Sequence, residues 1–170
     1  MPPRFSACTL MAQGEAVLMR KDHPASVGKL TMKAFSSHPL VAVSVGGNEE
    51  GAVDGFILER GLARQSEMFD RSALSVSLAA MGAEPRVRIT VPHALAVPAL
   101  LRDSDMLSIV PNSLARALTQ RDSSLVMRRL PYDSGTAVTR SVWHARHEHD
   151  AGHIWLRDLV RNVARTAGAR

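Results

Sequence analysis

The chain has 170 residues, 45% of them apolar and 22% charged, which is enough apolar side chain to build a core and excludes a disordered polymer. One cysteine, Cys8, excludes an internal disulfide framework, and no uncharged stretch, residues 36–48 included, reaches the roughly 18 apolar residues of a membrane span. The formal charge is +5 with three lysines (Lys21, Lys29, Lys33), scattered arginines and 4% aromatics, so a solvated basic surface fits better than a base-stacking platform for nucleic acid.

In chain order, Met1-Pro-Pro-Arg-Phe-Ser6 has no basic region leading into an apolar run, so no signal peptide is expected and the cytoplasm is the expected compartment. Ala16–Met19 is a short apolar run ending at Arg20-Lys-Asp-His-Pro24, a strand entering a loop. Thr31–Ser36 has helical character with Thr31 as N-cap, and Leu40–Ser44 is a strand bounded by Pro39 and Gly46-Gly47. Glu50–Arg60 reads as a helix with Gly61 as its C-terminal cap. Asp70–Met81 reads as another, capped by Asp70 and stopped by Gly82. Arg86–Val91 alternates with period two, the mark of a half-buried strand. His93–Leu101 is helix-like with Pro98 in its first turn, and Met106–Val110 is a buried strand closed by Pro111. Asn112 or Ser113 would cap a short helix through Leu118. Leu125–Leu130 and Thr136–Trp143 are strands. Asp150 caps a last helix whose Trp155, Leu159 and Val163 recur at i, i+4, i+8.

Four segments resemble the effector-binding domain of LysR-type transcriptional regulators. They are residues 10–24 (LMAQGEAVLMRKDHP), 29–44 (KLTMKAFSSHPLVAVS), 86–111 (RVRITVPHALAVPALLRDSDMLSIVP), and Val142–His147 with His153–Arg157. The resemblance implies an α/β, periplasmic-binding-protein-like (type 2) fold. Residues 10–135 would form mainly the second lobe, and 136–170 the strand and helix that return towards the first. A complete family member begins with a winged helix-turn-helix, a long linker helix and the first lobe of the effector domain, none of which is expected before Leu10 here. DNA contact is therefore expected only through a domain outside these residues. The family has one helix between Gly47 and Pro85 where this sequence offers two, so one is an expected insertion.

In such a fold a small organic effector sits in a cleft between two lobes. Helix starts just after strand ends present unpaired N–H groups and a positive dipole end, which suit a carboxylate. Two places qualify: Ser44-Val45-Gly46-Gly47-Asn48 and Pro92-His93-Ala94. Ser44 either donates to an effector or caps its own turn, and His93 either bonds a carboxylate or packs. Gly46-Gly47 lacks the spacing of nucleotide-binding loops, and no cofactor is expected. His144, His147, His149 and His153 crowd the end of the chain beside Glu148 and Asp150, but a strand puts His144 and His147 on opposite faces, so no metal site is expected. Cys8 would lie near a frayed terminus. No catalytic motif is present, so the chain is not expected to be an enzyme. A homodimer, or else a chain only marginally stable with this last helix the first to loosen, is expected, because the final apolar stripe asks for a partner surface and LysR-type domains pair side by side. Two functions remain: a small-molecule-sensing regulatory domain, or a stand-alone α/β interaction module with a vestigial cleft.

Overall fold

The computed structural model describes residues 4–44, 57–58, 61–62 and 67–168. The elements are β1 (Phe5–Gln13), β2 (Glu15–Arg20), α1 (Met32–Ser36), β3 (Leu40–Val43), β4 (Ile57–Leu58), β5 (Gly61–Leu62), α2 (Arg71–Ala79), β6 (Val87–Val91), α3 (Val97–Arg102), β7 (Leu107–Pro111), α4 (Asn112–Arg121), β8 (Leu125–Arg129), β9 (Ala137–His144) and α5 (Ala151–Gly168). They form two compact units, Glu15–Ser134 and the pair of segments Met1–Gly14 and Gly135–Arg170.

The first unit is built on a five-stranded sheet of order β6-β3-β7-β2-β8. β3 is parallel to β6 and β7, whereas β2 is antiparallel to β7 and β8. Successive strand side chains point to opposite faces. Val17, Met19, Leu40, Ala42, Leu107 and Ile109 therefore meet Phe35 of α1 and Leu74 and Leu78 of α2. Ala16, Leu18, Val41, Val43 and Val110 meet Val97 and Leu101 of α3 and Ala115 and Leu118 of α4. Two covered faces explain why these strands read as continuous apolar runs, while the edge strand β6 exposes Arg88 and Thr90 and alternates. Ser108 is the polar exception in the centre, and its hydroxyl donates to the Val41 carbonyl at 2.9 Å.

The helix signals near α1 and α2 act as expected. Thr31 Oγ1 accepts from the Ala34 N–H at 3.2 Å and Asp70 Oδ1 from the Ala73 N–H at 2.9 Å. Gly82 adopts φ +68° just past α2, where a Cβ is disfavoured. Pro98 sits in the first turn of α3.

Three expectations need correction. Ile57–Leu58 is not helical; it pairs antiparallel with Gly61–Leu62, so Gly61 is a strand partner and not a helix cap. A short apolar run such as Phe56-Ile57-Leu58 carries no period that separates strand from helix. The remainder of the expected Glu50–Arg60 helix lies outside the described residues. Secondly, α4 begins at Asn112 directly from the strand, and Pro111, its N-cap, makes no side-chain cap bond. Thirdly, Cys8 lies within β1 opposite Ser141, in a ladder that runs from Phe5↔His144 to Gln13↔Ala137. A terminal strand tied into a sheet does not fray.

In this second unit Arg157 of α5 stacks over the Trp143 ring at 4.6 Å and donates to the carbonyls of His147 and Glu148. Trp143 Nε1 donates to Glu148 at 2.7 Å. Asp150 caps α5 through the His153 N–H at 2.9 Å. Among the described residues no helix is long and apolar enough to cross a membrane.

Three 3-10 turns, Pro24–Ser26, Ala94–Ala96 and Ala145–His147, each start at a histidine whose Nδ1 accepts the N–H two residues on, from His23, His93 and His144. His23 is 1% exposed, and burial holds its pKa below the ordinary histidine value. Folding therefore favours the neutral ring. The associated stability is complete above about pH 6.5 and declines as pH falls below it. The melting temperature is expected to drop between pH 7 and 5, and His23→Asn, which keeps a cap acceptor without titrating, is expected to flatten that drop. An unchanged pH profile in the variant contradicts this role.

Candidate functional site

The parallel strands β6, β3 and β7 all end on one edge of the five-stranded sheet, and the antiparallel β2 begins there, with Glu15 opposite Pro111. The carboxyl ends of strands in open α/β sheets are where ligands bind. On this edge the Ser44 N–H donates to the Val91 carbonyl at 3.0 Å, which sets Ser44 beside the Pro92-His93 step. Ser44 and His93 thus come together at the ends of neighbouring strands. Val45, Gly46, Gly47 and Asn48 lie outside the described residues. Ala94 opens the 3-10 turn after His93.

His93 is exposed, so it is not a packing histidine; its Nδ1 accepts from the Leu95 N–H at 3.4 Å. Ser44 is half-buried and bridges to Glu67. Glu67 in turn forms an ion pair with Arg71 in the first turn of α2. The start of α4 reaches the same edge beside Glu15 through Pro111.

Sequence reasoning missed the polar group at this edge. Glu15 Oε1 accepts the Asp70 N–H at 2.9 Å, across 55 residues, and so anchors the entry to α2. Burial raises the Glu15 pKa, opposed by the Asp70 N–H and by the neighbouring Ser134 hydroxyl. Tyr132 is half-buried, its ring lies edge-on to Phe35 at 6.2 Å, and burial together with the Glu15 and Asp70 charges pushes its phenol above the ordinary range. A carboxylate at the entrance of an otherwise apolar strand was the available signal for Glu15. Tyr132 follows the last strand of the sheet and carried no pattern of its own.

The histidines near the end of the chain are placed otherwise. His147 and His153 stack at 4.1 Å, Arg146 donates to His147 Nε2, and His144 caps a turn. Among the described residues no group of three or more His, Cys, Asp or Glu is arranged to hold a metal ion.

The profile of the LysR substrate binding domain matches residues 59–165. The chain belongs to that family. Among its relatives are the HTH-type transcriptional activators NahR of Pseudomonas putida, 29% identical over 143 residues, and NagR of Ralstonia sp, 27% identical over 142. In each case the match spans 84% of this chain and 40% of the relative. Among solved structures, the regulatory domain of MexT from Pseudomonas aeruginosa is similar with a TM-score of 0.70, at 19% identity over 95% of this chain and 68% of that one. The regulatory domain of MetR from N. meningitidis is similar with a TM-score of 0.61, at 13% identity over 99% of this chain and 66% of that one. The LysR regulatory-domain fold, α/β and periplasmic-binding-protein-like, is thereby established for this chain.

Within this LysR domain the Asp70 cap is the simplest link between the edge and the packed helices. Asp70→Ala removes the side-chain cap of α2 but keeps the backbone N–H that Glu15 holds. It is expected to cost about 1 kcal/mol in urea denaturation, with Asp70→Ser restoring most of it. An unchanged midpoint for the alanine variant contradicts the cap.

Proposed function

We propose that this chain is the ligand-sensing part of a LysR-type transcriptional regulator, and that it takes a small organic acid at the carboxyl edge of the five-stranded sheet, in a cleft between two lobes. Residues 10–135 are mainly the second lobe, and residues 136–170 return to the first. The observation that carries the reading is the convergence of three parallel strand ends on the edge that holds Ser44 and His93. Ser44 to Asn48, with His93 and Ala94, are the proposed effector contacts. The acid's carboxylate is the group that backbone N–H donors at strand ends would hold. The protein works in the cytoplasm, without a cofactor and without catalysing a reaction, and reaches DNA through a helix-turn-helix domain outside these residues.

The proposed state is a homodimer. Trp155, Leu159 and Val163 on α5 are 66%, 44% and 61% exposed, and an apolar stripe of this kind favours association. The same stripe is the observation that favours the second reading, an interaction module whose cleft is vestigial.

Titrating isotope-labelled chain with a panel of small aliphatic and aromatic carboxylates is expected to shift the amides of residues 44–48 and 93–94 saturably. Light scattering on the same samples is expected to report the dimer. Shifts confined to His144–His153, or none with any acid in the panel, contradict the sensing function and leave the interaction module.

A further inference from the structure

We infer that Glu15 and Tyr132 form a subsite for a hydroxyl group of the bound ligand, an inference that rests on the effector-binding reading of this sheet edge. Glu15 uses one carboxylate oxygen, Oε1, on the Asp70 N–H. Its other oxygen, Oε2, and the Tyr132 hydroxyl are both buried, and among the described residues neither closes a hydrogen bond. Burial raises the Glu15 pKa and the nearby Ser134 hydroxyl opposes it, while among the described residues Oε2 itself has no hydrogen-bond partner. Ala16 of β2 pairs with Arg129 of β8, so Glu15 and Tyr132 leave the same end of that ladder, one and three residues beyond the pair. Buried polar atoms left unpaired are costly and uncommon.

The side chains are held in place by the fold. Glu15 is the first residue of β2 and shares the sheet face of Val17 and Met19, the face that packs on α2. Tyr132 packs against the same core and edge-on to Phe35. Its phenol keeps its proton, because burial and the nearby carboxylates of Glu15 and Asp70 disfavour a phenolate.

The donor and acceptor inventory selects the ligand group. A carboxylate brings a further negative charge and no proton for Oε2. An ether or carbonyl cannot donate to Oε2 either. An ammonium donates to Oε2 but leaves the Tyr132 proton without an acceptor. A hydroxyl has both capacities in one group, a proton to donate to Oε2 and lone pairs to accept from Tyr132.

The test uses the full chain and matched ligands: propionate against lactate, benzoate against its three hydroxy isomers, and, free of any carboxylate, anisole against phenol. Calorimetry reads affinity, and the Tyr132 ring resonances read location. In at least one pair the hydroxylated member is expected to bind about tenfold more tightly. Tyr132→Phe removes one of the two partners and is expected to lower that preference several-fold. Glu15→Gln replaces the free acceptor by an amide donor and is expected to turn the preference from phenol towards anisole. Ratios near one in every pair overturn the subsite. So does a preference that survives both substitutions. Carboxylates that bind with no preference for a hydroxyl overturn the subsite alone. Phenol that engages Tyr132 while no carboxylate binds keeps the subsite and overturns the carboxylate reading, and silence from every ligand overturns both.

Discussion

The constraint on which the larger unit depends is that its central strands are buried on both faces. β2, β3 and β7 give each successive residue to the opposite core, so Val17 and Met19 pack under α1 and α2 while Ala16 and Leu18 pack under α3 and α4. A one-residue slip in β3 would exchange the residues of the two cores and leave the same apolar character on each side. Other contacts must therefore fix the register. The Ser108 hydroxyl on the Val41 carbonyl is one of them, since it ties β7 to β3 at a single pairing. The Ser44 N–H on the Val91 carbonyl is another, at the edge itself. The order of that edge follows from the order of the core.

Much of this was legible in the sequence because the strands and caps carry local signals. Leu40–Val43 and Leu107–Val110 are runs of buried side chains bounded by proline, and Thr31, Asp70 and Asp150 are oxygen-bearing caps at the positions where helices begin. What was not legible depends on partners far away in the chain. Strand β1, Phe5–Gln13, mixes small and polar residues, and its pairing with β9 across more than 120 residues has no local trace. The Ile57–Leu58 strand looked helical because Val53, Phe56 and Ile57 share a helical face, and pairing with Gly61–Leu62 decides otherwise. At the candidate site, Ser44 and His93 were visible as residues after strand ends. Glu15 and Tyr132 were not, since their meaning comes from burial beside Asp70.

The histidines show how a residue type suggestive of chemistry is used for architecture. The His-Pro of residues 23–24, the Pro-His of 92–93 and the Trp-His of 143–144 all lie in segments that carried the family resemblance, and each histidine caps a short turn through Nδ1. The arginine of the final segment, Arg157, closes its corner by stacking on Trp143 and donating to two carbonyls. These motifs mark how the LysR domain turns from strand to helix. They are architectural, and the proposed effector contacts lie elsewhere, at the sheet edge.

Native-state amide exchange on two core variants tests the central claim most directly. Phe35→Ala opens the core on one face of the sheet and Leu101→Ala the core on the other, and each is expected to cost about 2–5 kcal/mol. If the sheet couples its two faces, either variant will speed exchange in β2, β3 and β7 together by the same factor, and the helices of the untouched face will follow. A variant that loosens only the helices on its own face, while the central strands and the opposite helices keep their protection, would contradict the account.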